Sequence, residues 1–152
     1  MSITARQKHL VQTSFKKVEP IAEAAAEIFY AKLFEYDPSL KPLFKGSMQA
    51  QGRMLMTTLK TAVESLDNLG ALIPVLKGLA DRHVDYGVSV HDYTPVGNAL
   101  LSTLRQGLGA DWNPELREAW IAVYKTVADV MRSHAHPEFN PSTYRNTKRY
   151  QR

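Results

Sequence analysis

Proline, more than any other residue, dictates what this chain can build. Pro20, Pro38, Pro42, Pro74, Pro95 and Pro114 stand between runs of helix-forming residues. A proline suits the first turn of a helix and disrupts its interior. After Pro20 the run IAEAAAEIFYAKLFEY is rich in strong helix formers and stops at Asp37-Pro38. PSLKPLFKG, with two prolines and a glycine, holds only a helical turn or two. Residues 48–66 resume a helix, with Leu55, Leu59, Ala62 and Leu66 on one stripe. Asn68-Leu69-Gly70 breaks the chain, and Pro74 suits the first turn of a helix running to about Val84. Tyr86-Gly87 and Asp92 separate it from a helix with Pro95 near its start and Leu108 near its end. Asn113 is a cap, Pro114 the first helical position and Glu115 a complement to the dipole of a last helix reaching about His134. Ahead of Pro20, Leu10, Val11, Ser14, Phe15 and Val18 fall at helical spacing. No segment alternates convincingly as a strand. The pattern predicts an all-α domain of six or seven unequal helices, whose short corners suit oblique pairwise packing better than a regular four-helix bundle.

With 152 residues the chain has the size of one domain. Its 44% hydrophobic and 22% charged residues exclude a disordered or collagen-like chain. No apolar run approaches the roughly 18 residues of a membrane span. The absence of cysteine removes thiolate metal sites, iron–sulfur clusters and cysteine nucleophiles. The net charge of +4 is concentrated at one end: residues 137–152 hold Arg145, Lys148, Arg149 and Arg152 against Glu138. The chain therefore divides into a body, 1–136, and a basic C-terminal tail, 137–152, expected to be solvated or loosely packed. The body offers no basic surface for nucleic acid, and a contact of the tail with an anionic partner is the lesser reading. The amino terminus has no apolar signal core, so the cytoplasm is the expected compartment.

Five histidines are present, His9, His83, His91, His134 and His136. None is paired at the helical spacing of a zinc protease, and the HAH of residues 134–136 is a weak metal signature. His83 differs, because Leu76, Leu79 and Ala80 precede it by seven, four and three residues and place it on an apolar helix face. Two readings stand. It is a satisfied core or boundary histidine, or it is an iron ligand whose other N–H is held by a carbonyl one turn back, such as that of Leu79. Tyr30 lies among the core-like Ile28, Phe29, Leu33 and Phe34, while Gln51, Leu55 and Thr58 form one line on the long helix. A buried phenol or amide without a partner costs about 1–3 kcal/mol. These two groups therefore sit at the surface, bond to backbone, or donate to a ligand.

From about Leu10 to Ala135 the ordered set resembles the globins, specifically single-domain bacterial haemoglobins related to the globin part of flavohaemoglobins. The resemblance is carried by Phe29-Tyr30, by Asp37-Pro38 with Phe44 six residues after the proline, by LADRHVDYGV and HDYTPVGNALL, and by Trp120 and Tyr124 in AWIAVYKTVADVM. It implies a globin fold of six to eight helices around haem b (iron protoporphyrin IX). His83 would be the proximal iron ligand and Phe44 would pack on the haem face. Gln51 and Leu55 would be the distal polar and apolar residues, with Val88 and Tyr93 completing the lining. Gly52 and Ala26 would be the small pair where two helices cross. One departure stands out. Flavohaemoglobins place a glutamate late in the last helix, against the proximal imidazole, and that position falls near Ala135 here.

The resemblance further implies an iron open to O2, CO, NO and small anionic ligands, with Tyr30 and Gln51 donating hydrogen bonds that slow O2 release. Glutamine carries no titrating proton, which argues against a dedicated peroxidase. A ferric state with Gln51 or Tyr30 on the iron stays open. So do two alternatives to oxygen binding: nitric oxide dioxygenation, and redox or gas sensing through the tail. Because the chain ends at Arg152, a separate reductase is expected to supply electrons. A monomer or homodimer is expected.

Overall fold

The computed structural model describes residues 3–146, and among them the secondary structure is helical, without a strand. Six α-helices carry the fold: α1 (Ala5–Val18), α2 (Ala22–Tyr36), α3 (Met48–Glu64), α4 (Leu69–Tyr86), α5 (Tyr93–Leu108) and α6 (Pro114–Ala135). Short 3-10 turns make the corners at Glu19–Ile21, Pro38–Leu43, Val90–Asp92 and Gly109–Asp111. No described helix is long and apolar enough to cross a membrane.

The caps explain most boundaries. Thr4 and Gln7 close a reciprocal capping box at α1, each side chain accepting the other's backbone N–H at 3.0 Å. Asn113 accepts from Leu116 N at 2.9 Å, with Pro114 directly behind it, as the sequence leads one to expect. α4 differs from expectation. It starts at Leu69, where Asn68 accepts from Ala71 N, so Pro74 lies inside the helix instead of opening it. Its end is set by Gly87 in the left-handed region (φ 92°), which lets the amide of Val88 return to the carbonyl of His83 at 3.0 Å.

The core has two parts. The larger gathers Val11, Phe15, Leu33, Leu104 and Trp120 from α1, α2, α5 and α6. Trp120 is almost wholly buried, and its indole N–H donates to Ser14 Oγ at 2.9 Å. The smaller joins Leu72, Leu76 and Ala80 of α4 to Ala128 and Met131 of α6, with Tyr93 and Ala62. α2 packs chiefly on α5 and also on α3, whereas α4 packs on α6. Gly52 permits the α2–α3 approach: a Cβ there would stand 2.9 Å from that of Ala26.

The tail is not loose throughout. Phe139, Tyr144 and Asn146 fold back over the chain ahead of α5, with Tyr144 Oη 2.8 Å from His91 Nδ1. Lys148, Arg149 and Arg152 lie outside the described residues.

Candidate functional site

α4 carries His83 one turn beyond Leu79, close enough for the imidazole Nδ1–H to donate to the Leu79 carbonyl at 2.8 Å. A carbonyl only accepts, so Nδ1 holds the proton and Nε2 keeps its lone pair. Burial pushes the His83 pKa below the ordinary histidine value. The Leu79 bond opposes that shift and the neighbouring Arg82 cation adds to it. The ring stays neutral at pH 7, and a neutral ring is what a metal ligand requires.

Tyr93, the first residue of α5, stacks with His83 at 6.2 Å between centroids and 15° between planes, and Tyr86 approaches at 5.8 Å. The Tyr93 backbone is held from α6 by a hydrogen bond from the Tyr124 hydroxyl to its carbonyl. The Tyr93 hydroxyl is buried and has no hydrogen-bond partner among the described residues, and burial raises its pKa to about 12. Val88 is half-buried against the same cluster as Tyr93 and Leu79. His83, Val88 and Tyr93 are thus one group.

Tyr30, Phe44, Gln51 and Leu55 form a second group, on α2, α3 and the corner between them. The Tyr30 ring meets Phe44 edge-on at 5.3 Å and Phe29 at 5.0 Å, and stacks on Phe34 at 6.0 Å. Its hydroxyl, with pKa raised by burial to about 12, donates to the backbone carbonyl of Gln51 at 3.2 Å. The Gln51 side chain donates to Lys45 O, also at 3.2 Å. Both polar groups therefore bond to backbone here, one of the arrangements the sequence left open. Leu55 is half-buried against the same core. Phe44 contacts Tyr30 and Phe34.

Their chain neighbours approach at one point: a Cβ on Gly87, which precedes Val88, would stand 3.4 Å from Cδ2 of Leu43, which precedes Phe44. Two surface concavities lie elsewhere, one between α4 and α6 at Ile73, Lys77, Asp129 and His134 and another on α3 at Ala50, Arg53 and Met54. Both are shallow and open to solvent. Sequence reasoning missed Arg132, which is buried beside Tyr93. Its one sequence signal was its place between Ala128 and Ala135 on the inner face of α6.

Among the described residues no three His, Asp or Glu side chains gather to hold a metal ion. A single neutral imidazole on an apolar wall therefore suits a metal that brings its other donors with it. Haem is such a group: His83, through Nε2, would be the residue to hold it, and the aromatic and aliphatic neighbours Tyr86, Val88 and Tyr93 would suit its apolar surface.

Comparison with known proteins gives the same direction. The family model described as Globin matches residues 27–131. A flavohemoprotein of Halalkalibacterium halodurans is 30% identical over 132 residues, which is 85% of this chain and 32% of that protein. A flavohemoprotein of Bordetella parapertussis is 31% identical over 125 residues, or 80% of this chain and 31% of the relative. The chain thus spans about a third of the length of these relatives. An engineered carbene transferase from Rhodothermus marinus, whose name marks it as a candidate nitric oxide dioxygenase, superposes with a TM-score of 0.81. It is 24% identical, with 90% of this chain and 95% of that chain covered.

Proposed function

The chain belongs to the globin family and is a haem-binding globin, and from that premise we propose that it binds O2, CO and NO reversibly on haem b held by His83. The observation that carries the reading is the imidazole itself. Its Nδ1–H is committed to Leu79 O at 2.8 Å, which fixes the tautomer and leaves Nε2 as the only ring donor to a metal. Haem held here through His83 Nε2 would supply the iron chemistry that binds a diatomic gas.

The chain's own residues do the rest. Phe44, Leu55 and Val88 supply apolar surface that excludes water. Tyr93 keeps the imidazole plane by stacking. Tyr30, with its pKa near 12, stays protonated at neutral pH and is a hydrogen-bond donor. Turning that hydroxyl from the Gln51 carbonyl toward a ligand exchanges one acceptor for another. Gln51 needs only one of its two amide hydrogens for Lys45 O, so the second is free to donate. Two donors in a dry site favour a polar gas ligand and slow its escape.

Absorption spectra of the haem-loaded protein, ferric and reduced, before and after O2 and CO, test the reading in the full chain and in His83→Ala. A five-coordinate reduced spectrum that forms a stable O2 complex, lost or altered without His83, is expected. A six-coordinate reduced spectrum, or one indifferent to His83, overturns it. Tyr30→Phe is expected to speed O2 release.

A second reading, nitric oxide dioxygenation, is favoured by the similarity to flavohemoproteins. It needs electrons from a reductase outside the globin domain. Sustained consumption of NO with a reductase and nicotinamide would establish it, whereas a single turnover would not.

A further inference from the structure

Where α6 meets the segment that follows it, a buried cation has no ion-pair partner among the described residues, although the buried Asp92 carboxylate acts on the same Tyr93 ring. Arg132 is 9% exposed, and among the described residues no carboxylate stands within ion-pair distance of it. Its hydrogen bonds go to neutral acceptors, Nε to Val90 O at 2.9 Å and Nη2 to Thr94 Oγ1 at 3.1 Å. Three aromatic rings take the place of a counter-ion. The guanidinium carbon lies 5.3 Å from the Tyr93 centroid, 4.8 Å from Tyr144 and 5.7 Å from Phe139, all within cation–π range.

Two of those rings come from beyond α6. Tyr144 is fastened by His91, which meets its hydroxyl at 2.8 Å and stacks on its ring at 5.8 Å. Phe139 packs on Tyr144 at 5.2 Å. His91 belongs to the 3-10 turn that leads into Tyr93. The third ring, Tyr93, is the one stacked with His83. Contacts therefore run without a break from the C-terminal segment through Arg132 and Tyr93 to the imidazole.

We propose that Arg132, caged by Phe139 and Tyr144, is a positioning residue for His83: through Tyr93 it fixes the imidazole plane and places a constant positive charge behind it. The proposal rests on His83 being the haem ligand. A nearby cation disfavours the additional positive charge of ferric iron, so it favours the reduced state that takes up O2 and CO. Covering Arg132 with two rings keeps water from screening that charge. The sign is opposite to that of a carboxylate at the imidazole, and Ala135 offers none.

The test is a spectroscopic redox titration of the haem-loaded full chain. Arg132→Met is expected to lower the ferrous-to-ferric ratio at a fixed ambient potential about three- to tenfold, tenfold being about 59 mV for one electron. Arg132→Lys, which retains the charge, is expected to stay near the parent value. The pair Phe139→Ala with Tyr144→Ala, which admits water to the guanidinium, is expected to shift the ratio in the same direction as Arg132→Met by a smaller factor. It is also expected to speed amide exchange in residues 89–94. An unchanged ratio in Arg132→Met overturns the proposal. Should that variant fail to fold, an unchanged ratio in the aromatic pair overturns it equally. Failure of the parent chain to take up haem, or indifference of its spectrum to His83→Ala, refutes the haem assignment on which the proposal stands, and does so before any Arg132 variant is made.

Discussion

Gly97 shows how closely single residues are matched around the Tyr93 anchor. A Cβ at this position would stand 2.6 Å from Cε2 and 2.9 Å from Cδ2 of Tyr124. The ring cannot yield freely, because its hydroxyl is bonded to Tyr93 O. Overpacking of this kind costs about 1–3 kcal/mol, and losing the hydroxyl bond adds about 1 kcal/mol. Alanine regains about 1 kcal/mol as a better helix former. Gly97→Ala is therefore expected to lower stability by about 1–3 kcal/mol in denaturant unfolding; a more stable variant would mean the ring does not press on Gly97. Ser14→Ala strikes a different bond. It removes the acceptor of the buried Trp120 N–H, and the unpaired donor should cost about 1–3 kcal/mol. The Ser14→Ala loss should vanish in a Trp120→Phe background, where no indole N–H needs an acceptor. At this scale the sequence was informative where bonding is local. The His83–Leu79 bond follows from a four-residue helical spacing. The orientations of the Tyr30 and Gln51 side chains depend on which carbonyls a corner brings near them, and no spacing rule reveals that.

Among the elements, α4 is where reading and structure part. Asn68-Leu69-Gly70 reads as a break and Pro74 as a helix start, because caps and breakers are drawn from the same residues. Asn68 caps instead, and Pro74 becomes the sixth residue of the helix. Lacking an N–H, Pro74 leaves the Gly70 carbonyl without its normal donor, and its own side chain is exposed. Nothing in the packing offsets that loss. Replacing an interior proline by alanine improves helix propensity by up to about 3 kcal/mol. The freer unfolded chain takes back about 0.4–1 kcal/mol. Pro74→Ala is expected to stabilise the fold by about 1–2 kcal/mol and to slow amide exchange at residues 71–76. Destabilisation would indicate that the proline ring has a packing role here. The other helices were legible because their caps, prolines and apolar stripes agree, as Asn113, Pro114 and Leu116 do at α6. The docking of residues 139–146 was not, because it depends on Arg132, His91 and Tyr93, which are brought to it only by the folded chain.

For the whole molecule, the division of the core decides what a bound group would do. α3 is supported by α2 and α1, and α4 by α6. The second half of α4 is the thinly supported part: Val84 and Tyr86 are 47% and 49% exposed, and past Ala80 only His83 is even half-buried. A helix with few buried contacts opens locally at low free energy. A rigid apolar disc ligated by His83 and flanked by Phe44 and Leu55 would join the two supports. Binding free energy would then be spent where local stability is lowest. Haem loading is accordingly expected to slow amide exchange most in residues 79–92, and least in α1 and α6, whose Phe15 and Trp120 are already closely packed. It should also raise the unfolding temperature with haem concentration, since a ligand at a hundred times its dissociation constant stabilises by about 2.7 kcal/mol. Removing haem by acid extraction should return both measurements to their starting values. Protection confined to α3, or spread evenly over all six helices, would mean that α4 is not the element haem holds. Protection centred on residues 79–92 and absent in His83→Ala would tie the stability of the whole fold to one imidazole.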